Sequence, residues 1–158
     1  MQTSFTENQL KDKDNRTSET IIRKCVHCGM CNATCPTYGI NGEELEGPRG
    51  RIYLIKDMLE NKKPATKQIA KHIDSCLSCY SCMTTCPSGV NYMHLIDHGR
   101  NYVEETYKRP FFDRLFRNIL SFVLPRPKVF LLMALSSKII KPFSFLFPKF
   151  LKNALNLM

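Results

Sequence analysis

Cys25-Val26-His27-Cys28-Gly29-Met30-Cys31-Asn32-Ala33-Thr34-Cys35-Pro36 and its echo Cys76-Leu77-Ser78-Cys79-Tyr80-Ser81-Cys82-Met83-Thr84-Thr85-Cys86-Pro87 decide how this chain is read. Each stretch is C-x2-C-x2-C-x3-C-P, a spacing that holds cubane [4Fe–4S] clusters. All eight cysteines fall in the two runs and none is left over. The x2 steps let three consecutive thiolates wrap one cube. The x3 step and the proline turn the chain away, and in two-cluster proteins the fourth cysteine ligates the other cluster. The expected ligand sets are therefore crossed: Cys25, Cys28, Cys31 and Cys86 on one [4Fe–4S] cluster, and Cys76, Cys79, Cys82 and Cys35 on a second.

Two other chemistries use cysteines at such steps. A zinc ribbon needs four ligands and leaves the third and fourth cysteine of each run without a role. A disulfide framework needs an oxidising compartment, whereas Met1 to Thr20 is polar, mixed in charge and without the apolar stretch of an export signal. A reducing cytoplasm, in which thiolates stay available to iron, is the expected setting. The first 20 residues are expected to be a flexible tail.

The 158 residues suit one domain whose small core is supplemented by metal binding. The net charge of +9 is unevenly placed. Met1 to Tyr107 carries 13 basic and 13 acidic residues, whereas Lys108 to Met158 carries 10 basic residues and the single acid Asp113. Such asymmetry predicts an anionic partner surface. No nucleic-acid reader motif or stacking-aromatic pattern is present, so nucleic acid is not the expected partner.

In chain order, Ser18 to Lys24 leads into the first run, and Thr37 to Arg51 is rich in glycine and turn signals and reads as a loop. Ile52, Ile55 and Leu59 stand at helical spacing, as do Ile69 and Ile73 in a helix starting at Ala65 or Thr66. A longer helix is predicted over about Asn91 to Tyr107, with Leu95, Ile96, Tyr102, Val103 and Thr106 facing inward. No alternating strand of useful length appears. The forty residues between Cys35 and Cys76 leave room for two helices. The expected fold class is mainly α: a helical two-cluster ferredoxin-like domain over residues 21–107, followed by a basic amphipathic helical tail over 108–158. In that tail Phe111, Phe112, Leu115, Phe116, Ile119 and Leu120 form a helical stripe, Leu124 to Pro127 is a break, and Pro142 and Pro148 are further breaks. The apolar run Val129 to Leu135 falls short of the roughly 18–20 residues a membrane span needs. The tail instead suits peripheral contact with an anionic membrane surface, on the inner face of the cytoplasmic membrane, or packing on a partner or a further C-terminal domain.

Beyond the cysteines, C-V-H-C-G-M-C-N-A-T-C-P-T-Y, G-P-R-G-R-I-Y-L-I-K-D-M-L-E, C-L-S-C-Y-S-C-M-T-T-C-P-S-G-V-N-Y and the tail K-R-P-F-F-D-R-L-F-R with L-P-R-P resemble the iron–sulfur subunit of glycolate oxidase (glycolate dehydrogenase) over Ile22 to Phe150. The resemblance implies an electron-transfer subunit. It would relay electrons from flavin-binding dehydrogenase subunits that oxidise glycolate to glyoxylate towards a respiratory acceptor. It also implies a cysteine-rich C-terminal half, which this chain does not include after Cys86. The same cysteine runs serve subunits acting with lactate, glycerol 3-phosphate or a heterodisulfide, and stand-alone ferredoxin-like carriers or adaptors.

No catalytic residue is expected, since neither a Ser/His/Asp set nor a suggestive pair of carboxylates occurs. Arg49 and Arg51 are candidates for positive charge near a cluster, or for solvated helix-start residues. The G-P-R-G stretch lacks the Lys and Ser/Thr of a phosphate loop. His27 is expected as a solvent-facing spacer, His72, His94 and His98 as helix residues at the surface or in the core, and Met30, Tyr80 and Met83 as shields or ordinary packing.

Overall fold

The computed structural model of the chain describes residues 1–140; the expected breaks at Pro142 and Pro148 lie outside the described residues. The chain divides into two units, Met1–Lys108 and Arg109–Met158. The described residues form helices and loops without a strand.

The first unit is built on four helices with well-marked ends. Helix α1 (Lys13–Lys24) starts at Asp12, whose carboxylate accepts from the Asp14 amide, and ends with Arg23 and Lys24, where the helix dipole favours positive charge. Helix α2 (Pro36–Asn41) is a short turn after the first cysteine run. Helix α3 (Pro48–Asn61) opens with proline at its first position after the Gly47 N-cap, a position where a missing N–H is harmless. Helix α4 (Lys67–Asp74) starts at Thr66, whose hydroxyl accepts from the Ile69 amide. Helix α5 (Ser81–Thr84) is one turn inside the second run, and α6 (Tyr92–Thr106) starts at Asn91.

The core gathers the inward stripes of these helices: Ile21 and Ile22 from α1, Ile52, Ile55, Met58 and Leu59 from α3, Ala70 and Ile73 from α4, and Leu95, Ile96 and Val103 from α6. Ile22, Ile55, Ile73, Leu95, Ile96 and Val103 have no exposed surface. Burial of each such side chain contributes about 1.5–3 kcal/mol. Tyr102 and Thr106, expected inward, are half-buried at the edge.

Two expectations need correction. The G-P-R-G-R stretch is not all loop, because Pro48 to Arg51 is the first turn of α3. Residues 1–20 are not a free tail. Phe5 packs on the core, a 3-10 turn spans Gln9–Lys11, and α1 begins at Lys13. Polar side chains fasten this segment. The buried Gln9 amide donates to the carbonyls of Leu59 and Glu60 at 2.8 and 2.9 Å, satisfying acceptors that the end of α3 leaves open. The buried Ser18 hydroxyl lies 2.7 Å from His98 Nδ1 and joins α1 to α6.

The second unit contains α7 (Phe111–Val123) and α8 (Pro127–Ile140), separated by the expected break. Phe112, Leu115, Phe116, Ile119 and Leu120 form an exposed apolar stripe on α7. Arg117 pairs with Asp113 at 3.2 Å, and the Arg126 guanidinium lies 3.9 Å above the Phe122 ring. Among the described residues no helix is long and apolar enough to cross a membrane.

Gln9→Ala tests the fastening of the N-terminal segment. Leaving two α3 carbonyls without their donor is expected to cost about 1–3 kcal/mol in denaturant unfolding. An unstructured tail would give no change.

Candidate metal centre

Each cysteine run begins where a helix stops. Cys25 is the C-cap of α1, and Cys76 follows Ser75, the C-cap of α4. Residues 51 apart then repeat the same backbone path. His27 and Ser78 take φ of 59° and 51°, and Gly29 and Tyr80 take 81° and 56°. These left-handed turns, costly for the non-glycine residues, curl each run before its third cysteine. That cysteine sits in a short helical turn, Met30–Thr34 in the first run and α5 in the second. The equivalent threonines Thr34 and Thr85 meet hydroxyl to hydroxyl at 3.2 Å, as a pseudo-two-fold relation requires. The equivalent carbonyls of Cys25 and Cys76 each accept from a cationic nitrogen, the Met1 amino group and the Arg100 guanidinium respectively.

Two neighbouring cavities lie between the runs. The first is lined by Cys25, Cys28 and Cys31 of the first run with Cys82 and Cys86 of the second. The second is lined by Cys76, Cys79 and Cys82 with Cys35 of the first run. Pro48 and the buried Tyr92 border both. Equivalent positions share their exposure on the outer side, where Cys28 and Cys79 are both exposed, while Cys25 and Cys82 are buried.

Two of these thiols, Cys31 and Cys82, are poorly placed to ionise alone. Burial, and then the neighbouring Cys25, Cys86 and Cys28, pushes the Cys31 thiol up to about 11. Burial, with Cys31, Cys76, Cys35 and Cys79 around it, pushes Cys82 up to about 12. At the surface Cys79 behaves differently: hydrogen bonds from the backbone and side chain of Ser81 hold it below its usual value. Converging thiols that resist ionisation without positive charge, in two largely apolar cavities, fit an iron–sulfur cofactor whose metal deprotonates its ligands.

Arg51 anchors the second cavity. Its guanidinium is 1% exposed and is spent on five contacts. Nε donates to the His72 carbonyl at 2.7 Å. Nη2 donates to Glu46 Oε2, Ser75 Oγ and Thr37 Oγ1 at 2.9, 2.9 and 3.1 Å, and Nη1 points at Cys35 Sγ at 3.9 Å. Burial raises the Glu46 carboxyl, but hydrogen bonds from Ser75 and His72 and the charge of Arg51 outweigh it and hold the group below its usual value. Arg51 is therefore no solvated helix-start residue. Gly50 makes the approach possible: a Cβ there would stand 2.3 Å from the Glu44 carbonyl oxygen. Arg49 points to the first cavity, half-exposed and paired with Glu44 at 3.3 Å.

Further residues at the site carry no sequence signal of their own. The buried Tyr92 hydroxyl donates to Cys76 Sγ at 3.7 Å, and burial keeps its proton far above the ordinary tyrosine range. Asn32 turns its amide oxygen to Cys31 Sγ at 4.0 Å, oriented by donating Nδ2 to Glu44 and accepting from the Arg49 amide. His72 is a core residue between two carboxylates, Glu46 at Nδ1 (2.8 Å) and Glu43 near Nε2 (3.7 Å). The three residues bring donor atoms within 4.8 Å of one another, with Glu46 already engaged by Arg51, Ser75 and His72. His27 is half-buried, its ring tilted towards Tyr53, and is not a solvent-facing spacer. His94 and His98 lie on α6, partly buried. Met30 is exposed, whereas Tyr80 and Met83 pack on the core.

Residues 21–90 match the family described as 4Fe-4S dicluster domain. The chain is 48% identical over 143 residues to the glycolate oxidase iron-sulfur subunit of Escherichia coli, covering 90% of this chain and 35% of that protein. It is 32% identical over 117 residues to the probable glycolate oxidase iron-sulfur subunit of Bacillus subtilis, covering 71% of this chain and 26% of that protein. A mitochondrial succinate dehydrogenase iron-sulfur subunit from Candida glabrata is 30% identical over 88 residues, 52% of this chain and 35% of that protein. The chain spans about a quarter to a third of the length of these relatives. No solved structure matches it.

Arg51→Met leaves Glu46 buried beside His72 and without its cation. The expected loss is about 3–5 kcal/mol in anaerobic denaturant unfolding. Adding Glu46→Gln recovers part of that loss, a coupling that a solvent-exposed pair does not show.

Proposed function

We propose, from the match of residues 21–90 to the 4Fe-4S dicluster domain, that the chain is the two-cluster electron relay of a flavin-linked dehydrogenase, oxidising glycolate to glyoxylate. One [4Fe–4S] cluster is held by Cys25, Cys28, Cys31 and Cys86 and the other by Cys76, Cys79, Cys82 and Cys35. The observation that carries this reading is the exchange of fourth cysteines: Cys86 lines the cavity of the first run, and Cys35 that of the second. When bound, each cluster supplies a one-electron acceptor and donor.

The chain's own residues do the rest. Cys25, Cys82, Val90 and Tyr92 are buried and keep water from the inner sides of the cavities. Cys28 and Cys79 bring the outer edge of each site to the surface, where a donor and an acceptor dock without the chain having to move. Thr34 and Thr85 hold the two runs together. The flavin partner is proposed from the names of the relatives, and glycolate as the substrate from the two glycolate oxidase subunits. In this reading residues 21–107 are the relay. The tail from Lys108 lays the Phe112–Leu120 stripe of α7 on an anionic membrane surface, with Arg114 and Arg117 beside it.

Anaerobically purified protein is expected to contain about eight irons and eight sulfides per chain, two cubanes' worth. Its paramagnetic spectrum after dithionite should show two interacting centres. Zinc in place of iron would remove the relay. With the flavin partner present, glycolate should reduce the clusters, and clusters that stay oxidised beside a reduced flavin would exclude this donor. Cys86→Ser should perturb the centre of Cys25, Cys28 and Cys31; loss confined to the Cys76 centre would show the ligands uncrossed.

Membrane contact has its own test. The protein should float with vesicles containing phosphatidylserine and not with neutral ones, and salt should release it. Flotation with neither would assign the α7 stripe to a protein partner, and flotation with both alike would remove the requirement for anionic lipid.

A further inference from the structure

The backbone of the two runs is nearly symmetric, but the groups around their sulfurs are not. At the second set, two side-chain donors reach ligand sulfurs: Tyr92 Oη to Cys76 Sγ at 3.7 Å and Arg51 Nη1 to Cys35 Sγ at 3.9 Å. The Thr37 hydroxyl lies 3.2 Å from Cys35 Sγ but is better placed to donate to the Glu46 carbonyl at 2.7 Å, so it adds no third donor, and that carbonyl oxygen itself lies 3.7 Å from Cys35 Sγ as an acceptor. Each set thus has one acceptor against a sulfur, but at the first set no donor accompanies it. Asn32 turns Oδ1 towards Cys31 Sγ, and among the described residues no side-chain N–H or O–H is hydrogen-bonded to Cys25, Cys28, Cys31 or Cys86.

Donors to cluster sulfurs and nearby positive charge stabilise the reduced, more negative state, and so does a buried cation more than an exposed one. Arg51 is shielded from solvent, and although Glu46 neutralises it on the Nη2 side, its Nη1 edge faces Cys35. Arg49, the only arginine lining the first cavity, is 38% exposed and paired with Glu44, so water screens it. The Asn32 carbonyl dipole at Cys31 and the Glu46 carbonyl at Cys35 both act against added negative charge, so they offset each other between the sets and the two donors are what differs.

From this asymmetry we infer that the set of Cys35, Cys76, Cys79 and Cys82 holds its cluster at the higher reduction potential, with Tyr92 and Arg51 as the tuning residues, and that electrons pass from the first site to the second. The inference rests on the two-cluster reading above. The step balances simply. One electron, supplied by the reduced flavin of the proposed partner, leaves the site of Cys25, Cys28, Cys31 and Cys86, which is oxidised, and enters the other, which is reduced. No bond forms or breaks, and Tyr92 keeps its proton.

The test is a redox titration followed by electron paramagnetic resonance on the anaerobically purified, cluster-loaded full chain. Cys79→Ser and Cys28→Ser assign the signals to the second and first sites. In the wild type the second-site signal is expected to appear first as the potential is lowered. Tyr92→Phe removes only a hydroxyl. It should reduce the ratio of reduced to oxidised second-site cluster at a fixed ambient potential about tenfold, equivalent to roughly 59 mV for a one-electron couple, and leave the first-site signal where it was. A merely structural tyrosine would alter cluster content and not one potential selectively. Two clusters with the order reversed, or a Tyr92→Phe shift shared by both sites or absent from both, would overturn the inference while leaving the relay intact. A wild-type chain without two reducible clusters would overturn the relay and the inference together.

Discussion

Everything in the first unit answers to one constraint: eight thiols must converge in two adjoining cavities, and the innermost of them resist ionisation. Burial and mutual repulsion push Cys31 and Cys82 well above their ordinary range. The protein therefore cannot be at its most stable as a set of free thiolates. Metal binding, which replaces protons with positive charge, becomes part of the folding free energy. The helices meet the constraint by delivering each run from a helix end and by leaving the curl to a pair of left-handed residues. Curling is local, whereas crossing is not: Cys86 lines the cavity of the first run and Cys35 that of the second, each with a proline next in the chain.

The forty residues between the runs are more than a spacer. They carry α3 and α4, which supply Ile52, Ile55, Met58, Leu59 and Ile73 to the core, and they carry the buried Arg51–Glu46–His72 network. A buried ion pair is a weak source of net stability, since desolvation offsets much of the attraction. Its effect here is positional. Arg51 touches the loop before α3 through Glu46, the first run through Thr37 and Cys35, and the end of α4 through His72 and Ser75. The two parts of the chain that lead into the second cavity are thereby fixed by one side chain, and no apolar residue of that size could make those five contacts.

The legible parts of this chain were those with a period or a fixed spacing. The cysteine steps named the cofactor chemistry, and the stripes of Ile52–Ile55–Leu59, Ile69–Ile73 and Leu95–Ile96–Val103 located three helices. What stayed hidden depended on polar residues used in an apolar manner. Gln9 and Ser18 fasten the N-terminal segment by hydrogen bonds that no hydropathy pattern registers. Gly47-Pro48-Arg49-Gly50 looks like a turn because glycine and proline usually are, yet here proline starts a helix and glycine admits a carbonyl at contact distance. Arg51 carries a charge that predicts solvent; only the placement of Glu46, five residues earlier on another element, allows it inside.

The charge distribution can be read in the same physical terms. The first unit is balanced in sign, and the excess of basic residues begins at Lys108. Exposed charges such as Arg114 are screened over about 8 Å at physiological salt, so their natural work is to choose a surface to sit on. A potential at a buried sulfur is set instead by groups that touch it and that water does not reach. Arg51 and Tyr92, at 1% and 4% exposure, meet that condition. Net charge and local contacts therefore act at different ranges, and a strongly basic tail leaves the surroundings of the cysteine sulfurs to the residues that touch them.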